Sequence, residues 1–174
     1  MGDSLITIVA IFLAAVLMFI FPLMAMSERT DDVAQLSVQT ATTDFVDNVR
    51  NTGKLTSDNY DKFLQTITST GNSFDVDMEV RILDENPGVK TTQAEMTKIG
   101  ENFYYTKYTS QVQEELAKKG KITLKEGDMI SVSVKNTNQT ISQILKNFFY
   151  QLSGNQTYQI VAQNAGMVSV NGSK

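Results

Sequence analysis

The chain has 174 residues, a formal net charge of −4 and neither Cys nor His. Without Cys it has no disulfide, zinc-thiolate site or cysteine nucleophile, and without His it lacks the commonest general base and metal ligand, which closes most enzyme chemistries. Its 15 basic against 19 acidic side chains leave no basic footprint for nucleic acid, and 41% hydrophobic residues exclude a chain disordered by composition.

Hydrophobicity is concentrated at the start. Leu5 to Met26 is a run of 22 residues without a charge, and Thr7 is its one polar member. As a helix the run spans about 33 Å, enough for a hydrocarbon layer of about 30 Å. Residues 1–26 are therefore the predicted membrane anchor, carried by Leu5, Ile8, Phe12, Leu17 and Phe21, with Pro22 expected to kink or loosen the last turns. A cleaved secretory signal would need a basic leading segment, whereas Met1-Gly2-Asp3-Ser4 is acidic, so an uncleaved anchor is expected. Between Ser27 and Phe45 only Arg29 is basic, against Glu28, Asp31, Asp32 and Asp44. That balance gives no pull toward the cytoplasm, and the following domain is expected outside the cell membrane.

The helical pattern continues into a stem, residues 27–53. Ala34, Val38, Ala41, Phe45 and Val49 recur at spacings of 4, 3, 4 and 4 and form one stripe, with Gly53 as the stop. Anchor and stem read as one helix of about 47 residues, some 70 Å long at about 1.5 Å per residue. Two packings are open to the stripe: against identical helices in an assembly, or against the chain's own head domain.

The head, residues 54–174, begins with a short helix marked by Tyr60, Phe63, Leu64 and Ile67. The period then switches to two: Phe74, Val76, Met78, Val80 and Ile82 alternate with Asp75, Asp77, Glu79 and Arg81, which predicts a half-buried strand. Asp84 to Gly88 is a turn, Val89 to Thr97 gives a weak signal, and Glu101 to Tyr108 reads as an aromatic strand. Ser110 and Gln113 predict a capping box for a helix that Gly120 stops. Ile122 to Leu124 and Met129 to Lys135 read as two tightly joined strands. Thr140 and Gln143 make a second capping box, for a helix with Ile141, Ile144, Leu145, Phe148, Phe149 and Leu152 that stops near Gly154. Tyr158 to Ala162 and Met167 to Val170 finish as a hairpin around Gln163-Asn164-Ala165-Gly166. The fold class is α+β: a long N-terminal transmembrane and stem helix, then a small head with a mostly antiparallel sheet and flanking helices.

The sequence has no Gly-rich phosphate loop and no dinucleotide pattern. Asp75, Asp77 and Glu79 share one strand face at two-residue spacing, an arrangement more often solvated than calcium-binding. A Ser–Lys hydrolase would need a serine near the anchor; Ser27 is there, but Glu28-Arg29 follows instead of a small, proline-containing context. The N-glycosylation patterns at Asn138, Asn155 and Asn171 are expected by chance in a chain so rich in Asn, Ser and Thr. No catalytic, cofactor or metal site is expected.

A hydrophobic N-terminal helix running straight into an amphipathic stem, with a small α+β head, resembles a type IV pilin or pseudopilin. Leu124-Lys125-Glu126-Gly127-Asp128, Ser131-Val132-Ser133-Val134-Lys135-Asn136 and Ala162-Gln163-Asn164-Ala165-Gly166-Met167-Val168 are similar to TadE/TadF-like minor pilins or pseudopilins of tight-adherence pilus systems. The resemblance implies a non-enzymatic bacterial envelope protein that contacts membrane lipid and oligomerises with itself or other pilin-like subunits. It also implies an assembly platform and a secretion ATPase as partners. One departure is plain: cutting after Gly2 would put Thr7 where type IV pilins carry Glu at mature position five, which suits a minor or anchoring subunit. The alternative is a bitopic cell-surface binding module with a non-catalytic, ligand-binding head.

Overall fold

The computed structural model describes residues 2–84, 104–150 and 159–172. In chain order the elements are α1 (Gly2–Thr52), β1 (Lys54–Thr56), α2 (Ser57–Thr68), β2 (Phe74–Leu83), β3 (Tyr104–Tyr108), α3 (Thr109–Lys119), β4 (Lys121–Thr123), β5 (Met129–Asn136), α4 (Ile141–Tyr150) and β6 (Val161–Met167). The fold is α+β, a 51-residue helix followed by a small head of antiparallel sheets and flanking helices.

Anchor and stem are one helix, and its assignment runs through Pro22 without interruption. The helix ends where Gly53 turns left-handed at φ 63° and its N–H reaches the Val49 carbonyl at 2.9 Å. A Cβ at Gly53 would overlap the backbone of Val170 and Gly172, so glycine is needed there for space as well as for conformation.

Four strands make the main sheet in the order β3-β2-β5-β6, every pair antiparallel. Met78 opposite Val132 and Val80 opposite Ile130 put apolar side chains on one face. That face is buried; Asp75, Asp77 and Arg81 lie on the exposed one. The stem half of α1 packs against β5, β6 and α2. A single core joins Val38, Val46 and Val49 to Leu55, Ile67, Met78, Ile130 and Val132. At about 1.5–3 kcal/mol for each large apolar side chain buried, the stem's share is of the order of 10 kcal/mol as an upper bound. Residues 27–53 are thus a structural part of the head.

α1 also closes the free edge of β6. The Gln35 amide donates to the Val161 carbonyl at 2.7 Å and accepts from the Val161 N–H at 3.0 Å, as a neighbouring strand would. Arg50 Nε donates to the Met167 carbonyl at 3.1 Å at the other end. Pairing a sheet edge in this way removes a template for unwanted strand addition.

Several sequence expectations need correction. Ile122 to Leu124 does not form a hairpin with Met129 to Lys135: β4 pairs with β1 in a separate two-stranded sheet, where Leu55 opposes Ile122 and both are buried. The short β1, Lys54-Leu55-Thr56, was too brief to show a period. The expected final hairpin is one straight strand, because Gln163 to Gly166 pair with Ser133 to Ile130 along β5; sheet context overrides the turn-like composition. The α3 cap lies two residues before the expected one: Gln111 accepts from the Tyr108 N–H at 3.0 Å, while Gln113 donates to the Tyr60 hydroxyl at 3.0 Å. The turn after Asp84, the stretch Val89 to Thr97, the start at Glu101, the side chains of Phe148 and Phe149, Leu152, Gly154, Asn155 and Tyr158 lie outside the described residues.

Candidate functional site

Two features stand out on the molecule: the bare half of α1, and the polar contacts where that half meets the head. From Gly2 to Thr30 no residue is buried. Leu5, Ile8, Phe12, Leu17, Phe21 and Pro22 are all exposed along this half, which is long and apolar enough to cross a membrane. Thr7, the single hydroxyl in the apolar run, donates to the Asp3 carbonyl at 2.8 Å, so its polar atom is satisfied within the helix as a lipid setting demands.

The stem stripe goes elsewhere. Ala34, Val38, Phe45 and Val49 are buried in the chain's own head, and Ala41 is packed partly against the same core. Phe45 stacks on Phe63 of α2 with ring centroids 4.7 Å apart. Of the two packings open to this stripe, the head domain takes it. The opposite side of the stem carries exposed apolar residues that the stripe did not include, Val33 at 64% and Leu36 at 67% exposure. They were legible as apolar positions three apart, but they fall outside the longer periodicity.

Directly above the apolar run, α4 is fastened to α1. Thr140 and Gln143 form the expected reciprocal cap: the Thr140 N–H donates to Gln143 Oε1 at 3.1 Å, and the Gln143 N–H donates to Thr140 Oγ1 at 3.3 Å. Thr140 also donates its hydroxyl hydrogen to Asp31 Oδ2 at 2.6 Å, which satisfies a carboxylate only 6% exposed. Lys146 Nζ lies 3.0 Å from Glu28 Oε1. The face that α4 turns inward holds Ser142 and Gln143, Leu145 is half-buried, and Ile141 and Ile144 point outward. Asp31 and Glu28 fix the helix by polar contacts, and those contacts decide which face is inside.

A cleft of about 570 Å³ lies between β3, α3 and β4, lined by Lys107, Lys119, Lys121, Lys125, Glu115 and Asp128 among others. Its two carboxylates are both engaged. Glu115 bridges Lys107 at 2.5 Å and Lys119 at 2.7 Å, and those two bonds, Lys107 first, hold its carboxyl below the ordinary value against the opposing pull of burial. The Asp128 carboxylate accepts the Leu83 and Lys125 N–H groups, both at 2.8 Å. Side chains engaged in this way hold β3, α3 and the turn before β5 together.

No protein-family model, curated protein or solved structure matches this chain.

Proposed function

We propose that this protein is a membrane-anchored, non-catalytic subunit with its head outside the cell membrane, a pilin-like or pseudopilin component of a type IV-like pilus or related secretion apparatus. The observation that carries this reading is the division of labour along α1: an apolar half in which no described residue is buried, joined without a break to a half that is the spine of the head. Membrane lipid covers the bare half in the resting subunit, and sister helices cover it in an assembly. With the stripe committed to the head, assembly contacts fall to the bare half and to the outward face at Val33 and Leu36. Pilin-like subunits, an assembly platform and a secretion ATPase are the partners this role calls for.

The burial of Ala34, Val38, Phe45 and Val49 supports a second reading, a bitopic protein that stands alone and uses its head to bind a surface ligand. Cross-linking in intact cells separates the two. The chain has no Cys of its own, so Leu17→Cys, Leu36→Cys and Val38→Cys variants each carry one thiol. Assembly predicts cross-linked multimers at positions 17 and 36 and none at buried position 38. Membrane-bound protein that never cross-links at 17 or 36 rejects assembly and leaves the lone anchor.

A further inference from the structure

We infer that α4 is an interfacial helix whose outward face, Ile141 and Ile144, rests on the lipid headgroup layer and holds the head against the bilayer. The inference rests on the membrane-anchor reading and adds a second lipid contact to it. Its first support is an inversion. The first turn of α4 buries Ser142 and Gln143 and leaves Ile141 at 62% and Ile144 at 52% exposure, with Leu145 half-buried behind them. A helix that faces water does the opposite, so its outer side is built for an apolar or interfacial neighbour.

Depth identifies that neighbour. The contacts that fasten α4 to α1 are at Glu28 and Asp31, two and five residues past the end of the apolar run at Met26. At about 1.5 Å per residue these lie about 3 and 7.5 Å beyond the hydrocarbon edge. The headgroup layer is about 5–7.5 Å thick on each side. α4 is therefore alongside that layer, continuous with the anchor's own lipid contact. Val33 and Leu36 sit about 10 and 15 Å beyond the edge, above the lipid.

Charge agrees with the placement. Of the acidic groups of α1 bonded to α4, Glu28 is paired with the Lys146 ammonium, and Asp31 is buried with an oxygen bonded by the Thr140 hydroxyl, so neither presents a bare carboxylate to the boundary.

The test uses the full chain in vesicles of phosphatidylcholine and phosphatidylglycerol. Leu17→Cys, Leu36→Cys and Ile144→Cys variants are labelled with an environment-sensitive fluorophore, and quenching is read with lipids brominated at shallow or deep acyl positions and with aqueous iodide. The expected result is quenching at position 17 by deep bromine, at position 144 by shallow bromine, and at position 36 by neither. Quenching at 17 without quenching at 144, with iodide reaching 144 freely, overturns the inference and spares the anchor. A label at 144 shielded from both bromine and iodide also overturns it, by showing that protein and not lipid covers the face. No bromine quenching at 17 rejects the anchor itself and this inference with it.

Discussion

Thr140 and Asp31, 109 residues apart in sequence, share a hydrogen bond of 2.6 Å that ties the start of α4 to the stem. The same hydroxyl caps α4 by accepting the Gln143 N–H. One oxygen thus serves a helix terminus and a buried carboxylate together.

Thr140→Val keeps the shape and removes both roles. It should cost about 1–3 kcal/mol, combining a lost cap with a carboxylate deprived of its donor. Thr140→Ser should restore most of this. Urea unfolding of the full chain in detergent measures the difference, and a valine variant as stable as the parent would show that α4 is held by other contacts.

Phe45→Ala should destabilise the head by about 3–5 kcal/mol, because it empties the space beside Phe63 in the core. Leu36→Ala, on the opposite side of the same helix, should stay within about 0.5 kcal/mol. Equal costs at the two sites would contradict the assignment of the stripe to the head. Ala41→Glu follows the same logic: partial packing against the core makes it a folding defect.

Gly53 and Gly71 both have positive φ, at 63° and 83°. Alanine at Gly71 meets open space and should cost about 1 kcal/mol from backbone strain alone. Alanine at Gly53 collides with the backbone of Gly172 and Val170 and should cost clearly more. Thermal unfolding of the two variants side by side checks the order; equal shifts would mean the C-terminal segment yields without loss.

Glu115 sets an acid dependence. Its carboxyl titrates below the ordinary value because Lys107 and then Lys119 bond it. A folded-state pKa below the unfolded value of about 4.3 stabilises the fold above that pH, and the contribution is lost as pH falls through the folded value. Glu115→Gln should therefore be less stable than the parent near neutrality, and the gap should close on acidification. Urea midpoints across the acid range give the answer, and a gap that widens toward low pH would reverse the sign.

The sequence displayed what depends on local periodicity. The apolar run, the stem stripe with its Gly53 stop, the alternating β2 and the Thr140–Gln143 cap are each written within a few turns or pleats. What it concealed depends on distant pairing. The three-residue β1 acquires its identity from β4, and Gln163 to Gly166 look like a turn until β5 lies beside them. The outward roll of α4 is set by Asp31 and Glu28, on a helix more than 100 residues earlier. Gln35 gave no local sign of its role, since an amide matching a strand edge is visible only once the edge exists. The stripe itself was plain, but periodicity shows that a face is buried and not by what.

Because the apolar half and the strut of the head are one helix, the head has no swivel on it. A pull along the bare half arrives undiminished at side chains interleaved with β5 and β6 and loads them in shear. Loading the rod and rupturing the globule are thus mechanically in series: a pull on the apolar half can rise no higher than the strength of the interior it ends in.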